Sequence, residues 1–380
     1  MTKEWIIESA KKRGIIIFGA GQNGLKIAKV LHNLNISIKY FCDNDIKKSN
    51  QLFLENIRCI DRVTLNSHRD KLIIISILEA PEVYDDLVKN NFKYVVTWEQ
   101  VYKCFEEEIL LLEEYPYIKG NGKFKDIHKG KRCFVLGNGP SIKEQDLSLL
   151  KDEITFTVNF FARNPQVEFI NINYHVFADP DLIRRIKVSD KKSENMESIL
   201  NIGKYSKQRV ECFVAHVPID IDWEKEVYPK SSNVNINFFK PVLRNNLAID
   251  FTQPISGFYT VVQYAITLAI FMGCSEIYLL GCECTDVVNI IENHEKGKTS
   301  GKYIGYECTE AYNRMMREVV KENPIERQIY GVWRWFKDYE IIASYCMKNN
   351  IKLRNCTRGG VLECIEREVY EEVVGTNRLN

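Results

Sequence analysis

The sequence predicts an α/β protein made of two Rossmann-like parallel-sheet domains. A short apolar strand, a glycine turn and an apolar-periodic helix occur twice, near Ile15–Leu31 and again from Cys133 to Leu150. Around them, short apolar runs alternate with helical patterns, as a parallel sheet with helical crossovers requires. The 380 residues leave room for such a pair at roughly 150 residues per domain.

The first unit opens with a strand at Ile15–Phe18, a turn over Gly19–Gly24, a helix through Leu31 and a second strand from Ile38 to Asp45. A third strand, KLIIISI, precedes a helix starting near Pro81, where proline suits a first helical turn. The short strand KYVVT and the acidic helix EEEILLLEE follow. In PYIKGNGKFKDIHKGK, glycines and lysines break every periodicity, which marks a boundary. The expected domains are 1–115, a linker over 116–130, and 131–380.

The second unit restarts with a strand ending at Leu136 and a capping pattern of Ser141 with Glu144. Strands are expected at ITFTVNFF, NYHVFADP and VECFVAHV, then an apolar helix from Ser256 to Met272 and a strand EIYLLGCE. Two more helices, around Glu310–Lys321 and Tyr330–Lys348, precede a strand IKLRNCT and the segment RGGVLECIERE.

Composition excludes several classes. Lysine plus arginine number 52 against 51 aspartate plus glutamate, so net charge alone draws in neither nucleic acid nor anionic lipid. The 12 cysteines are scattered without CxxC spacing, and charges occupy the start of the chain where a secretory segment would be apolar. Reduced thiols and a cytoplasmic location are expected, with peripheral attachment to the inner membrane face and homo-oligomerisation left open. Cys282 and Cys284 are expected on opposite strand faces, as small packing groups rather than metal ligands. The apolar run Tyr264–Cys274 is too short for a membrane span of about 20 residues.

Two turns carry the candidate chemistry. Gly19, Gly21 and Gly24 in GAGQNG match the dinucleotide fingerprint, with Asp43 placed to accept ribose hydroxyls; the same glycines also serve plain strand–helix packing. In Gly137-Asn138-Gly139-Pro140-Ser141, proline fixes φ while flanking glycines present amides to an anion, and Asn138 can donate and accept at once. Trp333, Trp335, Phe336 and Tyr339 suit either a sugar-stacking platform or, by helical spacing, core.

The order GNGPS, then Asn159 after TFTV, then VFADP, then PISGFYTVVQYAITLAIFMGCSEIYLLGCE resembles the bacterial sialyltransferases of glycosyltransferase family 42. It is also similar to their broader relatives, the motility-associated flagellin glycosyltransferases and the 6-hydroxymethylpterin pyrophosphokinases. The resemblance runs in patches from Lys131 to Arg367, and the closing NCTRGGVLE is closer to the broader relatives. It implies a GT-A-like single nucleotide domain in which Asn138 and Asn159 hold a cytidine monophosphate moiety. It further implies that Ser256 and Gly257 hold donor sugar and phosphate. Asp179 stands where the family often has asparagine. Tyr303-Ile304-Gly305-Tyr306 aligns with a Tyr-Ile-Gly-His segment, so Tyr306 stands where the family's general base stands and Tyr303 joins the binding set. The leaving-phosphate tyrosines of the sialyltransferases are replaced by CECTDVV, and their arginine by residues near Gln253.

His294, with Lys296, Lys298 and Lys302 in a polar stretch, is a second candidate base beside cations for a departing phosphate. The function implied is metal-independent glycosyl transfer, with no cofactor required, from a nucleotide-activated, CMP-linked donor to a surface glycan, lipid or protein acceptor. The alternatives are a pyrophosphokinase-like transferase, with Asp179 and Glu283 holding magnesium, and a non-catalytic nucleotide-binding protein.

Overall fold

The structure is a computed structural model that describes residues 1–54, 56–78, 80–179, 183, 201–216, 233–244, 246–288, 290–291, 305–306, 310 and 324–375. The chain forms two compact α/β units, Met1–Glu114 and Tyr115–Asn380.

In the first unit, α1 (Lys3–Arg13) leads into β1 (Ile15–Phe18), α2 (Gln22–Asn33) and β2 (Ile38–Cys42). Then come β3 (Leu52–Phe53), β4 (Ile57–Ile60), α3 (Arg62–Leu65), β5 (Leu72–Ile75), α4 (Pro81–Lys89), β6 (Val95–Val96) and α5 (Trp98–Leu110). The sheet order is β3-β4-β2-β1-β5-β6, parallel except for the β3–β4 edge pair. Ile15, Ile17, Leu72 and Ile74 enter one core, and Ile16, Phe18, Ile73 and Ile75 enter the other. This period-two split is why these strands read as unbroken apolar runs: helices cover both faces. Four elements, α1, β3, β4 and the short α3, lie outside the sequence expectation. Helix α1 is started by Thr2, whose hydroxyl accepts from the Trp5 amide, and buries Ile6 and Ala10; β3 and β4 form a short edge ribbon.

The second unit opens with α6 (Pro116–Lys119) and a 3-10 turn over Gly120–Phe124. The linker expected over 116–130 is thereby corrected. Ile118 and Phe124 are buried, and the Asn121 side chain donates to the carbonyls of Phe238 and Phe251, so the segment is tied into the second core. Five strands follow: β7 (Arg132–Leu136), β8 (Ile154–Val158), β9 (Tyr174–Phe177), β10 (Val210–Ala215) and β11 (Val234–Phe239). A small ribbon pairs β12 (Pro241–Val242) with β13 (Ile255–Ser256). Helix α7 (Val261–Phe271), β14 (Glu276–Leu280), α8 (Ile325–Lys348), β15 (Lys352–Asn355) and α9 (Tyr370–Gly375) complete the described elements.

The seven-stranded sheet is parallel throughout, in the order β11-β10-β9-β8-β7-β14-β15. Helix α7 is apolar all round and almost wholly buried, as its position across β7, β8 and β9 demands. It starts at Val261, not at Ser256 as expected. Thr260 and Gln263 form a reciprocal capping box, while Ser256 lies in β13 against Val242. In α8, Val332, Asp338, Tyr339, Ile342 and Cys346 form the buried stripe; Trp333 is 51% exposed. The aromatic set therefore divides, with Tyr339 in the core, Phe336 packed beside it, and Trp335 donating its ring N–H to the Tyr259 carbonyl at 2.9 Å. The expected helix beyond Glu310 lies outside the described residues. Among the described residues no helix is long and apolar enough to cross a membrane.

Candidate functional site

In open α/β sheets, ligands bind beyond the carboxyl ends of the strands where strand order reverses. That point lies between β1 and β5 in the first unit and between β7 and β14 in the second.

At the first, Gly19 adopts φ +106° with the Ser76 hydroxyl donating to its carbonyl at 2.8 Å, and a Cβ on Gly24 would lie 2.0 Å from that carbonyl. Both glycines are demanded by packing. The Asp43 carboxylate accepts from the amides of Ala20 (2.8 Å) and Asp45 (2.9 Å) and from Lys48 Nζ (2.8 Å). Burial works against its charge, but the Lys48 and amide hydrogen bonds outweigh it and hold the carboxyl below its ordinary value. The expected ribose acceptor is thus engaged in bracing the glycine loop.

The second reversal point is built from the loops after β7 and β14. The Gly137 amide donates to the Leu280 carbonyl at 2.8 Å, the Gly139 amide to the Gly281 carbonyl at 2.8 Å, and the Ser141 amide to Glu283 Oε1 at 2.5 Å. The amide cradle expected for an external anion is therefore corrected: protein carbonyls take two of its donors and a side-chain carboxylate takes the third. The expected Ser141–Glu144 capping box is not formed. Residues Pro140–Glu144 make a 3-10 turn, and the buried Ser141 hydroxyl has no hydrogen-bond partner among the described residues.

Asn138 ties β7 to β8, its side-chain amide donating to the Val158 carbonyl at 2.9 Å. Asn159, next along the same edge, sits in the left-handed region at φ +47°, a conformation asparagine tolerates better than most side chains. The Gly305 amide donates to the Asn138 carbonyl at 2.6 Å, and Tyr306 is buried with its ring 5.8 Å from that of Phe160. The structure thus brings together Gly137–Ser141, Asn159 and Tyr306. Beneath them, His175 Nδ1 pairs with the Thr157 hydroxyl at 2.9 Å, and burial depresses the imidazole to about 3.

Glu283 is the site residue that sequence reading placed only as a magnesium ligand. It is 6% exposed, its Oε2 has no hydrogen-bond partner among the described residues, and the following Cys284 takes φ +55°. Strained backbone of this kind collects at functional sites. The closing NCTRGG segment holds it from behind: the Val361 amide donates to the Glu283 carbonyl at 2.8 Å, and the Thr357 hydroxyl accepts from the Cys282 amide at 3.0 Å. Gly360, at φ +82°, lets the segment approach; its Cβ would lie 2.5 Å from Glu283 Cα. Asp286, exposed, opens the helical turn that follows; desolvation by the surrounding protein, then the Glu283 charge, push its carboxyl up to about 6.

The remaining expectations divide. Asp179 lies exposed beyond β9, on the same carboxyl edge of the sheet. The Ser256 hydroxyl accepts from the Ala248 amide at 2.9 Å and donates to the Asn246 carbonyl at 3.2 Å; the Gly257 amide donates to the Val242 carbonyl at 2.8 Å. Both are engaged in fastening their own loop, and neither stands at a helix N-terminus, because α7 begins later. Cys282 and Cys284 are buried in the loop rather than within the strand. Tyr303, His294, Lys296, Lys298 and Lys302 lie outside the described residues. A hollow of about 280 Å³ opens elsewhere, between the end of β15 and α9, with Gln145, Thr357, Arg358 and Tyr370 on its walls.

No family model matches the chain, and no curated protein matches it. Among solved structures it is similar to the MAf glycosyltransferase from Magnetospirillum magneticum AMB-1, at 10% identity and a TM-score of 0.39. That match covers 99% of this chain, which spans 64% of the other protein's length. At this distance the likeness assigns no residue.

Proposed function

We propose that the second unit is a glycosyltransferase that moves a sugar from a nucleotide-activated, CMP-linked donor to a hydroxyl of a surface glycan, lipid or protein. The observation that carries this reading is the return of Gly305–Tyr306 onto the Asn138 carbonyl, which gathers the candidate base, both asparagines and the glycine turn at the strand-order reversal. The resemblance of GNGPS, TFTVNF and ISG to family 42 supports the choice of cytidine.

In the reaction, the acceptor oxygen bonds to the anomeric carbon as the bond from that carbon to the nucleotide phosphate breaks. The acceptor proton passes to a base. Tyr306 is the base within the described residues; with an ordinary pKa near 10, a tyrosine takes that proton only when the site stabilises its phenolate. Asn138 and Asn159 orient the nucleotide through their side-chain amides.

A second reading is favoured by the carboxylates of Glu283, beside the turn, and of Asp286, three residues on in the following helical turn. In a phosphoryl-transfer enzyme, such residues would hold magnesium against a polyphosphate, with Asp179 from the neighbouring edge.

Incubating the chain with CMP- and UDP-linked sugars, with and without chelator, tests both. Release of nucleotide from a CMP-linked sugar in the presence of chelator is the expected result. Turnover of a nucleoside triphosphate that stops on chelation would replace glycosyl transfer by the second reading, and binding without turnover of either class would leave a non-catalytic nucleotide-binding protein.

A further inference from the structure

We propose that Glu283 recognises a ribose hydroxyl of the bound nucleotide, and that its charge keeps the nucleotide's phosphate off the Gly137–Ser141 turn. The inference rests on the nucleotide reading above and specifies which part of the ligand faces which residue.

Glu283 is fixed on three sides. Its Oε1 receives the Ser141 amide at 2.5 Å, its backbone carbonyl receives the Val361 amide at 2.8 Å, and Gly360 packs against its Cα. Its other oxygen, Oε2, lies over Gly139 and has no hydrogen-bond partner among the described residues, although the residue is 6% exposed. A buried carboxylate oxygen left unpaired costs on the order of 1–3 kcal/mol or more, so a completing partner such as a ligand group is called for. An ionised carboxylate only accepts hydrogen bonds, so the completing group must be a donor. A phosphate offers acceptors and negative charge, and two such anions in contact repel. The hydroxyls of a ribose are neutral donors on every ribonucleotide. The amides that could otherwise have drawn a phosphate to the turn are already occupied at Gly137, Gly139 and Ser141. Glu283 thus sorts the ligand's orientation: hydroxyls toward the β7–β14 reversal, phosphate away from it.

The test is calorimetric binding of the ribonucleoside 5′-monophosphates of cytidine, uridine, adenosine and guanosine, each beside its 2′,3′-dideoxy form. Wild type, Glu283→Gln and Glu283→Asp are compared, with and without chelator. The expected result is that wild type prefers the tightest-binding ribonucleotide over its dideoxy form by about tenfold or more, the scale of one charge-assisted hydrogen bond. Glu283→Gln is expected to reduce that ratio towards one, and so is Glu283→Asp, which keeps the charge but withdraws it by one methylene. Circular dichroism and urea unfolding report that both variants fold. An unchanged ratio in the variants overturns the inference. Tighter monophosphate binding by Glu283→Gln overturns it by making Glu283 the occupant of the phosphate's own place. A preference that vanishes with chelator overturns it by making Glu283 a cation ligand. If none of the monophosphates binds wild type, the nucleotide reading itself fails, and the inference fails with it.

Discussion

Glu283 Oε2 and Gly139 are in such close contact that a Cβ built on Gly139 would lie 1.4 Å from the carboxylate oxygen. The glycine is therefore demanded by a side chain that the sequence places far away, on the loop after β14. Gly139→Ala is expected to destabilise the second unit by about 1–3 kcal/mol, the usual cost of forcing atoms into a filled space. Glu283→Ala in the same chain should recover most of that loss. Urea unfolding of the two single variants and the double variant measures the coupling, and an additive result would show that the two residues do not meet.

Tyr306→Phe is expected to lower the rate of sugar transfer by roughly 10²–10⁴-fold, the range for loss of a positioned acid–base group, and to leave the nucleotide dissociation constant within about twofold. The phenyl ring still packs beside Phe160. A variant that transfers sugar at the wild-type rate removes Tyr306 from the chemistry.

The pH dependence of stability should carry the signature of His175. Its folded-state value, depressed to about 3 by burial, lies below its ordinary value near 6.5, so the unfolded chain binds the extra proton between these limits. Stability from this group is fully present above about pH 6.5 and is lost as pH falls towards 3. At pH 4.5 the loss should be roughly 2–3 kcal/mol relative to pH 7. His175→Gln keeps a partner for the Thr157 hydroxyl without titrating. Denaturant melts of both proteins at the two pH values should show the wild type losing more stability than the variant.

Asp43 makes a prediction of the same sign in the first unit, over a more acidic range. Its hydrogen bonds hold its carboxyl below the ordinary range, so its contribution is present at neutral pH and lost on acidification through that lowered value. Asp43→Ala frees the Ala20 and Asp45 amides and should cost about 1–2 kcal/mol at pH 7, with a smaller difference in acid. Chemical denaturation of residues 1–114, followed within the full chain by hydrogen exchange at the glycine loop, measures both.

Much of the fold is legible because its signals are local. β1, β5, β7 and β14 announce themselves as apolar runs, and the glycine turns follow them directly. β11 does not, because its outward positions are asparagines: Asn235 and Asn237 both donate to Glu211 at 2.7 Å across the edge of the sheet, a pairing invisible until the strands are neighbours. The start of α7 was available in Thr260 and Gln263, but the apolar residues upstream mask that capping signal. The turn Gly137–Ser141 was legible as a site; that an internal carboxylate fills it was not, because Glu283 reaches it only through strand order. Thr357 and Val361 belong to the same hidden set, since they act on backbone groups that carry no sequence mark.

The clamp behind Glu283 also sets an order of assembly. Until β15 is synthesised, β14 is a bare sheet edge, and the loop bearing Glu283 has neither the Thr357 hydroxyl nor the Val361 amide to hold it. A nascent chain can therefore stack its first strands and bury α7 while its crevice is still unfinished. The loop that carries Glu283 is therefore fastened only once β15 has docked against β14.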